Sequence, residues 1–215
     1  MKRISKKIEA IFTICYLSFA LVCGIYLLGN GTQTAALLAG AMALILAGGD
    51  AFHLLPRLLV IVSGKEERYQ TALGRGKQIT SITMTIFYIL LWQIALQLFP
   101  MYYGFSRMIY VLSTVRIVLC LLPQNQWTQK NPPLAWGIIR NIPFVITGIL
   151  IALPYGWYAG DIGSLQGMWI AILISFLCYL PVVLVAHKYP MIGMLMLPKT
   201  CAYMWMLWMC LSLVS

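Results

Sequence analysis

The sequence predicts an all-α integral membrane protein, a seven-transmembrane-helix bundle with its N-terminus cytoplasmic and its C-terminus outside. Three observations predict it. Hydrophobic residues make up 61% of the 215 and charged residues 9%, whereas soluble domains run near about 45–50% and 25%. Seven apolar segments each come close to the roughly 20 residues that a helix needs to cross a bilayer. The basic residues crowd into alternate connections. The spans leave no stretch for a soluble domain, so residues 1–215 read as one transmembrane domain.

The first span, about 11–29, follows a basic stretch, Met1–Ala10. That order also opens a signal peptide, but the apolar run is long for one and no small-x-small cleavage site follows, so the span reads as retained. Span two, about 34–63, is overlong and predicts tilt, a kink near Pro56 or an extension past the membrane. Ala36, Gly40, Ala43 and Ala47 give it a small face for close helix packing. The connection Gly64–Gln78 reads as a basic turn around Gly74-Arg75-Gly76-Lys77. It lacks the P-loop pattern and suits anionic lipid headgroups.

Span three, about 79–99, carries Thr80, Ser81, Thr83 and Thr85, hydroxyls that can bond back to their own helix. Span four, about 106–123, stops at Pro123, and Asn131-Pro132-Pro133 marks the loop that follows. Span five is about 136–154, with Pro143 inside it. Span six is about 166–187, with Pro181 inside it. Span seven, about 191–213, has Lys199 directly after Pro198, where a helix break would free carbonyls for the ammonium. Tyr102, Tyr103, Trp127, Trp136, Trp157, Tyr158 and Tyr189 sit near span ends, as an aromatic belt does.

With the N-terminus inside, the cytoplasmic parts hold Lys2, Arg3, Lys6, Lys7, Lys65, Arg68, Arg75, Lys77, Lys130 and Lys188, and the outer side holds Arg107 alone. The expected location is therefore the plasma (inner) membrane. The net charge of +10 belongs to this topology and to anionic headgroups, not to nucleic acid. The six cysteines all lie in apolar segments with no C-x-x-C, which suits small buried hydrophobes rather than disulfides or zinc. Two histidines, His53 and His187, supply too few ligands for a metal. No metal and no cofactor are expected.

Chemistry concentrates in Gly48-Gly49-Asp50-Ala51-Phe52-His53-Leu54-Leu55-Pro56-Arg57. Asp50, His53 and Arg57 recur at i, i+3, i+7 and share one helix face. A charge at the bilayer centre costs roughly 3 kcal/mol on insertion scales, so this stripe is expected to face protein. At 1.5 Å rise per residue, Arg140 and Arg57 lie roughly 6–8 Å from the cytoplasmic boundary, Arg116 and Lys199 roughly 10–12 Å, His53 about 13 Å and Asp50 about 18 Å. Thr83 and Thr85 fall in the same layer. Four bases in the spans, Arg57, Arg116, Arg140 and Lys199, face one acid. Three remedies exist: snorkelling by Arg57 and Arg140, loss of the Lys199 proton, or an anion in the site. Arg116 is too deep to snorkel and is the leading ligand-binding residue, with Arg57, Arg140 and Lys199 beside it. Asp50 is expected to bond His53 or a base on another helix.

The string Gly49–Arg57, together with Thr80-Ser81-Ile82-Thr83-Met84-Thr85-Ile86-Phe87-Tyr88, resembles a bacterial family of multi-pass membrane proteins without an assigned activity. The likeness covers two of the seven spans and implies a membrane bundle but no chemistry. Seven spans with a lysine in the last invite comparison with retinal proteins. Leu195, not an aspartate, stands one turn before Lys199, and span three has no carboxylate. The three-histidine pattern of transmembrane ceramidase-like hydrolases is absent.

Three functions compete. The first is binding or transport of an anionic small molecule or lipid headgroup at a cationic intramembrane site in the cytoplasmic half. The second is an intramembrane hydrolase or lipid-modifying enzyme. There Asp50 orients His53 as base, Ser81 or Thr85 supplies the hydroxyl, and Arg116 or Lys199 stabilises the developing anion. The third is a structural or regulatory subunit whose polar groups hold helices together. The expected partners are membrane lipids and an anionic ligand. Oligomeric state is left open.

Overall fold

The computed structural model describes residues 2–100, 103–185 and 188–214. His187 and Tyr102, and the side chains of Lys2, Arg3, Lys6, Lys7 and Tyr103, lie outside the described residues. The described residues form seven α-helices and no strands: α1 Lys2–Asn30, α2 Thr34–Ser63, α3 Glu66–Leu98, α4 Tyr103–Leu121, α5 Leu134–Trp157, α6 Met168–Val185 and α7 Met196–Cys210. Short 3₁₀ turns cover Pro123–Asn125, Gly163–Leu165, Pro190–Leu195 and Leu211–Val214. Seven of these helical segments are long and apolar enough to cross a membrane. Their outward faces carry Ile11, Val22, Val62, Val118, Ile142 and Leu177, all more than half exposed. A water-soluble monomer rarely shows apolar surface on this scale.

Two predicted elements are corrected. The Gly64–Gln78 turn is not a turn. Gly64 ends α2 with φ 70°, its N–H on the Val60 carbonyl at 2.9 Å. The chain restarts as α3 at Glu66, with Glu66 and Glu67 against the positive end of the helix dipole. Gly74 and Gly76 are helical, and their missing side chains are what lets α3 extend. A Cβ on Gly76 would lie 2.3 Å from the Phe52 carbonyl oxygen, and one on Gly74 would lie 2.2 Å from that of Trp127. The second correction is the break at Pro198. The chain changes from 3₁₀ to α geometry at Met196, and Pro198 sits in the first turn of α7, where a helix needs no N–H. Pro56 likewise lies inside a continuous α2.

Neighbours in sequence pack as neighbours in space, and α7 returns to touch α1 and α2. The α1–α2 hairpin crosses where Gly24 and Gly40 meet: a Cβ on either would come within 3.2 Å of the other's carbonyl oxygen. Gly40 of the predicted small face is thus a point of closest approach. α3 fills the interior with Phe87, Tyr88, Leu91 and Trp92, all fully buried. Tyr88 meets Phe144 of α5 edge-on at 5.1 Å and Phe176 of α6 at 5.3 Å, and Phe87 meets Tyr203 of α7 at 5.6 Å. One aromatic cluster therefore ties α3, α5, α6 and α7 together, worth about 0.5–1.5 kcal/mol per ring pair beyond area burial.

Candidate functional site

The predicted stripe on α2 stays on one side of its helix but finds three different partners. Asp50 does not bond His53. The Tyr16 hydroxyl of α1 donates to Asp50 Oδ2 at 2.6 Å. His53 stands against α3 at the Leu73 backbone, and its Nδ1 is buried without a partner. Arg57 leaves the interior: its side chain is 53% exposed and pairs with Glu9 of α1. Seven residues separate Glu9 from Tyr16 and seven separate Asp50 from Arg57, so an antiparallel hairpin in one register makes both contacts. The sequence reading missed Glu9 and Tyr16, although that matched spacing was available.

The predicted hydroxyls are spent on backbone. Ser81 donates to the Lys77 carbonyl at 2.8 Å and Thr85 to that of Ser81 at 3.0 Å. Thr83 donates to Thr80, and Thr80 to the Gly49 carbonyl across the α2–α3 interface. Neither Ser81 nor Thr85 reaches His53, so a hydroxyl–imidazole pair is not assembled in this structure.

Two bases remain inside. Arg116 is 2% exposed. Its guanidinium lies over the Phe144 ring, 3.1 Å from the centroid. Nη2 reaches the Ser81 carbonyl at 3.4 Å, while Nε and Nη1 are buried without a partner. Lys199 is 8% exposed, with Nζ 4.6 Å from the Tyr179 ring and 5.2 Å from that of Tyr203. Among the described residues, no carboxylate lies within 4 Å of either base. Asp50, Arg116 and Cys178 are the electrostatic neighbours of Lys199. Around them, the Tyr88 hydroxyl pairs with Ser175 at 2.8 Å and Tyr179 donates to Asn141 at 3.0 Å. These mid-span tyrosines were also missed, because a tyrosine away from the membrane interface looks like ordinary core.

No family model, curated protein or solved structure matches this chain. The likeness noted for Gly49–Arg57 therefore rests on that segment and its α3 counterpart alone.

Arg140 does not join Arg116. Its Nη1 donates to Asn125 at 2.7 Å and its guanidinium stacks 4.1 Å from the Trp127 ring. Asn125 in turn donates to the Leu119 and Leu122 carbonyls, and Trp127 and Gln78 both donate to that of Cys120. These bonds satisfy the orphan carbonyls at the end of α4. They also brace a cleft of about 250 Å³ lined by Arg75, Gln78, Gln126, Trp127 and Thr128. Cys120, buried next to the lining residue Leu121, is one helical turn from Arg116. Among the described residues no group of three His, Cys, Asp or Glu side chains could hold a metal ion.

Proposed function

We propose that this bundle binds or transports an anionic small molecule or lipid headgroup at a cationic site formed by Arg116 and Lys199. In this reading the protein sits in a plasma membrane, with its N-terminus and the basic end of the bundle in the cytoplasm. One observation carries the proposal: Arg116 is buried with two guanidinium nitrogens unpartnered and no acid beside it. A buried charge is normally paired, and leaving one unpaired costs several kcal/mol, about 3–5 where a partner has been removed. An oxyanion supplies the missing acceptors, and the planar fork of arginine fits its geometry.

The structural reading draws on Phe144, whose ring already covers one face of the guanidinium. Thermal unfolding in a nonionic detergent separates the two. Dimethyl phosphate, benzoate and phosphatidylglycerol are added in turn, with phosphatidylcholine as the neutral control. The anion-site reading expects at least one anionic probe to raise the Tm of the wild type, and expects Arg116→Met to lose that response while melting no lower. A methionine fills the space of a buried charge without its desolvation cost. Equal responses to phosphatidylglycerol and phosphatidylcholine, with none to the soluble anions, would leave only the structural role.

A further inference from the structure

We propose that the cleft between α3 and the α4–α5 connection holds the phosphodiester headgroup of an anionic membrane phospholipid, with the phosphate on Arg75. Arg116 does not line this cleft, so the site stands apart from the one proposed above and does not depend on it. Its volume of about 250 Å³ is below the roughly 300–1,000 Å³ of pockets that enclose drug-sized ligands. That space suits one headgroup and not a whole lipid. The two sides of the cleft are fixed to each other. The Gln70 amide of α3 donates to the Thr128 carbonyl at 3.1 Å. Gly74 lets the Trp127 backbone press against α3, where an added Cβ would strike the Trp127 carbonyl oxygen. The cleft is thus built into the fold, and a preformed site lowers the ordering cost of binding.

Arg75 is exposed, yet its guanidinium is held in place. Nη1 donates to Gln78 Oε1 at 3.1 Å, and the same amide donates through Nε2 to the Cys120 carbonyl at 3.2 Å. Gln78 therefore ties the arginine fork to the end of α4 and leaves Nε and Nη2 as donors. That planar fork matches two oxygens of a phosphate. No acid lines the cleft among the described residues, so the charge of Arg75 has no carboxylate there to meet. Gln126 adds a second sign. It is the one non-glycine residue with positive φ among those described, at 48°, a conformation uncommon for a side-chain-bearing residue and easy for glycine. Neither its amide nor the Thr128 hydroxyl has a hydrogen-bond partner among the described residues. Both are free to meet the polar group that the phosphate carries.

The apolar side of the cleft selects a lipid over a free phosphodiester. Leu121, the last residue of α4, lines the cleft and is 59% exposed. Val118, one turn before it, is 52% exposed. An acyl chain can follow this face while its headgroup stays among the polar residues. With α4 read as a span, its end lies at headgroup level, where an indole such as that of Trp127 is at home. Because Arg75 is exposed, water and salt screen its charge. Occupancy of the cleft therefore moves the melting temperature little, and it is read by direct labelling.

Photolabelling of the purified full chain in a nonionic detergent tests this. The probe is phosphatidylglycerol with a diazirine on one acyl chain close to the glycerol ester, and peptide sequencing locates the adduct. Adducts are expected on residues 118–123. Unlabelled phosphatidylglycerol should compete up to about fivefold better than phosphatidylcholine, the most that one exposed charge contact supports. Dimethyl phosphate, which has the charge without the chains, should compete poorly. Arg75→Gln should remove the preference for phosphatidylglycerol. Gln126→Gly should fold no less stably than the wild type, since glycine suits a φ of 48°, and should label more weakly. Adducts spread evenly over the seven helices, or equal competition by the two lipids, overturn the inference. Dimethyl phosphate competing as well as phosphatidylglycerol overturns the lipid as occupant. An unchanged preference in Arg75→Gln overturns the phosphate contact.

Discussion

At the scale of single residues, the bond between Tyr16 and Asp50 is the most exposed to test. It joins α1 to α2 through one short contact. Tyr16→Phe removes the donor and leaves the carboxylate without it, which should cost about 1.5–3 kcal/mol for a bond to a charged group. Unfolding of the purified variant measures it, and a melt equal to wild type would mean that water satisfies Asp50. Arg57→Ala should cost far less, about 0.2–1 kcal/mol, since its partner Glu9 and itself are both partly exposed. The contrast shows what a helical period can and cannot tell. Spacing placed Asp50, His53 and Arg57 on one side of one helix, and the structure keeps them there. It could not say that the side would be shared between α1 and α3. That depends on which helices lie to the left and right of α2, and a period along one chain holds no such information.

At the scale of elements, the positions of the spans were legible because bilayer thickness sets a length that apolar runs must meet. The start of α3 was not. Gly74 and Gly76 look like turn residues from sequence, yet they serve a helix that must let two pieces of backbone pass close to it. Gly76→Ala should destabilise by about 1–3 kcal/mol, because its Cβ has only backbone to displace. Gly48→Ala is the control. Nothing lies within 4 Å of the Cβ it would add, and it should be neutral or stabilise by up to about 1 kcal/mol. Equal melting temperatures for the two variants would show that α3 does not press on α2 at Gly76. The loop after α4 makes a second case. Arg140→Ala and Asn125→Ala should each destabilise, and a double-mutant cycle should find them coupled by about 0.5–3 kcal/mol. Arg140 belonged to the cationic set by depth alone. Its true partner lies in a loop whose path no helical period encodes.

At the scale of the whole molecule, seven successive helices put the basic connections at one end. Single cysteines at Lys65 and Lys130, in a cysteine-free background, should label from one side of the membrane. Those at Gln33 and Ser164 should label from the other. Labelling of all four from one side would refute the topology. An odd number of helices has a mechanical consequence. The contact between α1 and α7 closes the bundle, and those two helices run the same way, so no short link can tie them. This lateral seam is therefore held by side-chain packing and not by a connecting loop. The seam carries its own reporters, since Cys23 of α1 and Cys210 of α7 are buried electrostatic neighbours across it. A short bis-maleimide should join them, so that fragments cut between Gln126 and Pro133 stay together on a denaturing gel. If the site proposed at Arg116 takes lipid headgroups through this seam, the cross-link should abolish the response to phosphatidylglycerol and spare that to dimethyl phosphate.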